Sequence, residues 1–168
     1  MPPRTRLRTH DYSRPGWYFV TTVTAGRRPL FGTLTRTGVN LSRMGEVVAE
    51  EWESTLRVRG WISCVASVVM PEHFHALVGW TRVPDNRSPD LSELMASFKG
   101  HSTKRLRQAW LLRNWDVVWC RGYWDQVIRG PRHFEAVRRY IVENPTRAWH
   151  HLSSGSAPRG ARRERGRR

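Results

Sequence analysis

Two histidines stand two residues apart in the run Met70, Pro71, Glu72, His73, Phe74, His75. Along a strand, residues i and i+2 leave the same face, so both imidazoles of such a pair can reach one ion. Phe74 then points the other way and, with Ala76, packs beneath whatever covers the opposite face. Two unrelated histidines would give the same spacing. A second pair lies nearer the C-terminus, where Tyr140 and Asn144 are four residues apart and, on a helix, sit nearly above one another. Asn144 offers a neutral oxygen ligand. A tyrosine hydroxyl, with an ordinary pKa of about 10, becomes a nucleophile when a metal ion or a base helps it lose its proton. Phe134, Val137 and Ile141 form a separate apolar stripe that docks this helix and leaves Tyr140 at the stripe's edge, a place that also suits a tyrosine merely covering a sheet.

The other chemically able residues lack such partners. Tyr12 lies in a basic arm, Tyr18 among apolar strand neighbours and Tyr123 in the aromatic segment Arg121, Gly122, Tyr123, Trp124, and none has an asparagine four residues on. Trp119, Tyr123 and Trp124, interleaved with Arg121 and Arg129, suit base stacking by single-stranded nucleic acid, or else a place in the core. His101, His133, His150 and His151 have no partner spacing and read as surface or helix-end residues. Cys64 and Cys120 lie in apolar surroundings without zinc or disulfide spacing and read as reduced core residues.

These residues need elements to position them. GWYFVTTVT (16–24) reads as a first strand. Leu41, Met44, Val48 and Trp52 recur at helical spacing over 41–58, with Asn40 placed to cap that helix. Residues 61–70 and 73–80 are two β-rich runs separated by Pro71 and Glu72, which predicts antiparallel neighbours. Residues 82–89 read as a loop, at whose end Ser88 and Pro89 start a second helix ending near Trp110. A fourth strand or extended arm spans 119–129, and a last helix spans 131–144, ended by Pro145. The order β-α-β-β-α-β-α predicts an α+β, ferredoxin-like split βαβ fold with a single antiparallel sheet and an added C-terminal helix carrying the tyrosine. Helices cover one face of the sheet and the other is left for a substrate.

Charge says what kind of substrate. The 168 residues carry 29 Lys and Arg against 14 Asp and Glu, a net +15, and all of the basic residues but Lys99 and Lys104 are arginine. Six of those arginines fall in the last ten residues, yet the rest of the chain is itself basic. Arginine's planar fork grips phosphate in pairs of hydrogen bonds, so a polyanion is the expected partner, although a high-GC coding bias also favours arginine over lysine. The chain divides into a basic arm (1–16), one catalytic domain (17–151) and an Arg-rich tail (152–168). It has no run of about 18 apolar residues and no apolar stretch near its start, which reads as no membrane partner and a cytoplasmic protein.

VMPEHFHALV and then RGYWDQVIRGPRHFEAVRRYIVENPTRA resemble the paired signatures of the REP-associated tyrosine transposases, a branch of the single-tyrosine HUH transposases. The similarity runs in order and spacing from about Tyr18 to Trp149. The resemblance implies the ferredoxin-like palm, His73 and His75 as metal ligands, Asn144 as a third, helix-borne ligand, and Tyr140 as the nucleophile. It implies a substrate of single-stranded DNA beside palindromic hairpins, and relatives that are monomers or homodimers. Two imidazoles and an amide oxygen favour a divalent ion such as Mg²⁺ or Mn²⁺ over a closed structural zinc site. Attack by Tyr140 on a phosphodiester would leave a 5′-phosphotyrosine and a free 3′-hydroxyl, and a second 3′-hydroxyl could reverse the step. One departure is Gln126, where many relatives carry histidine. The rivals to a nickase and strand-transferase are a hairpin-binding protein of this fold that has lost its chemistry, and a basic RNA-binding module whose histidine pair is accidental.

Overall fold

The structure, a computed structural model, describes residues 14–80 and 90–154. Most of the basic arm, the loop at 81–89 with Ser88 and Pro89, and the tail from 155 lie outside the described residues.

Aromatic and β-branched residues make β1 (Gly16–Val23) a strand. It is joined on one side by β5 (His73–Trp80) and on the other by β6 (Trp124–Val127), while β4 (Ser63–Met70) flanks β5. The order β4-β5-β1-β6, every neighbour antiparallel, is the ferredoxin-like sheet. Alternation divides the strands between two faces. Tyr18, Val20, Phe74, Ala76 and Val78 point toward α1 (Arg43–Val58) and α2 (Leu91–Gln108). There Trp52 meets Phe74 and Phe98 edge-on, with ring centroids 4.9 and 5.1 Å away. Burying a side chain such as Phe74 completely contributes about 2–3 kcal/mol, which fixes the strand register and so the outward aim of its neighbours His73 and His75.

The second face is not left open. Phe19 and Leu77 would expose apolar surface there, and α3 (Pro131–Ser153) closes over them with Phe134, Val137 and Ile141, the stripe read in the sequence. Trp17 packs edge-on against Phe134 at 5.0 Å and lies across Gly79, where a Cβ would come within 2.6 Å of its ring. The helix also crosses the part of this face that holds the two histidines, where Tyr140 packs on His75.

Four boundaries differ from the sequence reading. A hairpin of β2 (Gly32–Thr35) and β3 (Gly38–Leu41), forming its own two-stranded ladder, lies between β1 and α1. Asn40 is an exposed residue of β3, and α1 is capped instead by Ser42, whose Oγ accepts from the Gly45 N–H at 3.2 Å. Pro145 does not end the last helix. It is buried, and with Val39, Leu41, Val69 and Phe74 it lines a cavity of about 290 Å³. Packing against the hairpin holds the helix across the missing N–H for two further turns. The expected fourth strand shrinks to β6, with Trp119 making one bridge to Thr24. Between them Lys99, one of the chain's two lysines, donates from Nζ to the carbonyls of Cys120 and Gly122, both at 2.6 Å. A compact ammonium fits between two carbonyls where the broad guanidinium used elsewhere would not.

Candidate active site

Because β5 begins at His73, its first turn of pleat places His73 and His75 on the α3 face, with ring centroids 4.5 Å apart. Each ring is held by a neighbour. Thr21 stands opposite His75 on β1, and its Oγ1 lies 2.7 Å from His75 Nδ1. Glu72 Oε1 lies 3.2 Å from His73 Nδ1. That contact is the main influence holding the Glu72 carboxyl below its ordinary pKa, against the opposing effect of burial. With both Nδ1 atoms engaged, Nε2 is the nitrogen each ring has available for a ligand, the arrangement that outer hydrogen bonds impose on metal-binding histidines.

His75 is 5 % exposed. Burial, and then the neighbouring His73, push its pKa from 6.5 down to about 3, so it is a neutral imidazole at physiological pH. This has a measurable consequence for the metal-free protein. Below about pH 6.5 the unfolded chain takes up a proton here that the native state refuses, so native stability is present above that pH and is lost as pH falls. The slope from this group is at most about 1.4 kcal/mol per pH unit. Denaturant melts between pH 7 and 5 should show that decline in the wild type and a flatter profile in His75→Gln; identical slopes would assign the dependence to other groups.

Helix α3 crosses the same face and brings Tyr140 over the pair. Its ring centroid lies 5.6 Å from that of His75 and 5.9 Å from that of Phe19, the latter contact edge-on at 86°. Phe19 itself lies 5.1 Å from His75, so His75 and Tyr140 both rest on it. Tyr140 is 39 % exposed, so its ring is packed while the residue remains open to solvent. The guanidinium of Arg147, two turns along, lies 6.0 Å from the tyrosine ring centroid and puts a positive charge beside it. Asn144 is buried on α3 one turn beyond Tyr140. The structure therefore joins His73, His75 and Tyr140 through ring contacts, and Asn144 through the helix turn it shares with the tyrosine.

The other sequence candidates separate. Trp119 is a core residue whose Nε1 donates to Ser102 Oγ at 3.1 Å, and the Tyr123 hydroxyl lies 3.4 Å from Ser92 Oγ, away from the site. Trp124 and Gln126 lie on the site face, opposite Thr21 and Phe19. Arg121 and Arg129 are exposed. His101 pairs with Ser97, His133 Nδ1 accepts the Arg129 N–H, and His150 and His151 are exposed in the last turn of α3. Thr21, Glu72 and Arg147 escaped the sequence reading as supporting residues. Glu72 sat within the histidine run and could have been found there, whereas Thr21 is 54 residues from its histidine and is brought to it by strand register.

A family model described as "Transposase IS200 like" matches residues 18–144, a span that begins in β1 and ends on Asn144. The chain belongs to the IS200-like transposase family. Among solved structures, this transposase chain is similar to a REP-associated tyrosine transposase bound to a REP hairpin. The two are 20% identical with a TM-score of 0.61, over 92% of this chain and 89% of that one. A candidate transposase of Deinococcus radiodurans R1 superposes with a TM-score of 0.51 at 19% identity, over 84% of this chain and 97% of the other. Both likenesses establish the fold of the IS200-like chain as theirs. An uncharacterized protein of Haemophilus influenzae (strain KW20 / Rd) is 24% identical over 159 residues, 83% of this chain and 86% of that protein. Among the described residues of the transposase, no helix is long and apolar enough to cross a membrane.

Proposed function

We propose that the protein is a metal-dependent nickase and strand-transferase for single-stranded DNA beside palindromic hairpins, with Tyr140 as its nucleophile. The observation that carries the reading is the position of Tyr140, packed against His75 while the two histidines have their Nδ1 atoms engaged. A tyrosine that served only as cover would not need a pair of oriented imidazoles, one of them directly against its ring.

The donor set fits a divalent ion. His73 and His75 would hold it through Nε2, Asn144 is the candidate third ligand through its amide oxygen, and mixed nitrogen and oxygen donors suit Mn²⁺ or Mg²⁺. When bound, such an ion supplies charge that polarises a phosphodiester oxygen and eases loss of a nearby proton. The remaining steps belong to the chain. Tyr140 Oη gives up its proton and bonds to phosphorus; the bond from phosphorus to the 3′ oxygen breaks, and that oxygen takes a proton to become a 3′-hydroxyl. The 5′-phosphotyrosine keeps the energy of the broken ester, so another 3′-hydroxyl can reverse the step and join strands without ATP. Arg147 is placed to bind an anionic phosphate next to the tyrosine, and the net charge of +15 favours DNA throughout.

The test is covalent capture. Wild-type protein incubated with Mn²⁺ and a labelled single-stranded hairpin DNA should give a denaturant-resistant protein-DNA species, lost when EDTA replaces the ion. Salt-sensitive binding with no adduct under any divalent ion would instead support the rival reading, a hairpin-binding protein without chemistry.

A further inference from the structure

Helix α2 closes through a residue that does not favour the conformation it holds. Beyond the cap residue Ala109, the Trp110 N–H bonds back to the Arg107 carbonyl and the Leu111 N–H to the Leu106 carbonyl, both at 3.0 Å. This pair of bonds ends a helix through a left-handed residue, and Trp110 is that residue, with φ 59°. Glycine takes such a position without strain, whereas a bulky side chain there holds an unfavourable backbone. Packing does not offset this. Trp110 is 95 % exposed, and Trp115 in the same loop is 75 % exposed. Between them Leu111 and Leu112 turn inward against the core. The loop buries its two leucines and leaves its two indoles in water, the reverse of what burial alone would select.

The charges around the loop say what would cover the indoles. Lys104, Arg105, Arg107 and Arg113 fall in the stretch 104–118, against one acidic residue, Asp116. Arg105 is paired with Glu50 and Glu51, and Asp116 Oδ2 accepts the Arg113 N–H at 3.2 Å, so the stretch stays basic. A second copy of this chain would bring the same cations face to face, which opposes a symmetric contact. Cations beside open aromatic rings suit a nucleic acid strand with unpaired bases. The loop also meets the end of the sheet where the site lies. The Val117 carbonyl accepts from the Arg28 guanidinium at 2.6 Å and the Val118 carbonyl from the Ala25 N–H at 2.8 Å. The adjoining Thr24 N–H reaches the carbonyl of Glu72, the residue before His73, at 2.8 Å. We propose that Trp110 and Trp115 are stacking sites for unpaired bases of the DNA, beyond the catalytic face. This rests on the reading of a hairpin with single-stranded flanks and adds where a flank is held. Stacking accepts any base, so the loop contributes affinity for unpaired DNA without choosing its sequence.

The experiment is binding by the full chain without metal, which separates this inference from the cleavage reaction. One probe is a fluorescein-labelled DNA hairpin with unpaired flanks of mixed sequence, and the other a blunt duplex of the same length. Trp110→Ala and Trp115→Ala should each weaken binding of the flanked hairpin by roughly 5- to 150-fold, the range for one stacked base, without a matching loss on the duplex. Trp110→Phe should recover most of that loss. Trp110→Gly keeps the helix end and relieves its backbone, so it should melt about 1–4 °C above the wild type while binding the flanked hairpin as weakly as Trp110→Ala. A lower melting temperature in Trp110→Gly would show that the indole serves the fold, and would overturn the inference. Equal weakening on both probes would overturn it too. Unchanged hairpin affinity in both alanine variants, with an altered oligomeric state, would assign the indoles to a protein contact and overturn it again. If the wild type still forms its Mn²⁺-dependent adduct, the nickase reading survives each of these results. Failure of the wild type to bind either probe would overturn both.

Discussion

Tyr140→Phe is expected to bind hairpin DNA and divalent metal as the wild type does while forming no protein-DNA adduct and cutting no strand. The substitution keeps the ring, and with it the contacts to His75 and Phe19, and removes the one oxygen placed to attack phosphorus. Because the residue is partly exposed, thermal stability should shift by no more than about 0.5 kcal/mol. The rate should fall by roughly 10⁴- to 10⁶-fold, the scale on which nucleophile deletions act, leaving slow hydrolysis by water. The comparison variants are Tyr18→Phe and Tyr123→Phe. Tyr18 is stacked on Trp80 at 4.8 Å with its hydroxyl donating to the Arg14 carbonyl at 3.0 Å, so its loss lowers stability but leaves covalent capture. Tyr123 turns its hydroxyl to Ser92 and should likewise retain capture. Wild-type adduct levels in Tyr140→Phe would remove the nucleophile assignment and move the search to Tyr123.

How far the residues alone reveal this arrangement depends on the range of the interaction. Period-two alternation in 73–80 places His73 and His75 on one face because Phe74 and Ala76 have to be buried on the other, and the strand bounds agree with the structure. The spacing of Phe134, Val137 and Ile141 likewise predicts which side of α3 meets the sheet. The β2–β3 hairpin is invisible because its strands are four residues each, with Leu34, Val39 and Leu41 too few to show a period. Its presence turns Asn40 from an apparent cap into a strand residue.

Pro145 misleads for a related reason. A proline lacks the helical N–H, and the local rule ends the helix before it, but the hairpin packed on Pro145 supplies tertiary contacts that outweigh one lost bond. The aromatic run from 119 to 124 shows the same limit. Composition marks it as stacking material, and only the three-dimensional fold sends Trp119 inward and leaves Trp124 on the reactive face. The hydrogen bonds of Thr21 and Glu72 that orient the histidines differ in the same way, one fixed by pairing across the sheet and the other by adjacency.

Replacing His73 or His75 with Ala should abolish metal-dependent cleavage in either case, yet the two variants should part company in stability. His73 sits half-buried at the start of β5, so His73→Ala should fold nearly as well as the wild type. His75 is buried between Phe19 and Tyr140 and bonded to Thr21, so His75→Ala opens a gap and strands a hydroxyl, for a loss of about 1–3 kcal/mol. Hairpin binding measured without metal should survive in both, because the pair serves the scissile phosphate rather than the grip on the strand. Thr21→Val supplies the graded case. It leaves both imidazoles in place but removes the oxygen that orients His75, and outer partners of this kind contribute about 10- to 100-fold to metal affinity. Calorimetric titration with Mn²⁺ should therefore show undetectable binding in the alanine variants, weakened binding in Thr21→Val, and cleavage by Thr21→Val that returns as Mn²⁺ is raised. Undiminished Mn²⁺ affinity in His73→Ala, with cleavage retained, would show that the histidine pair does not hold the ion.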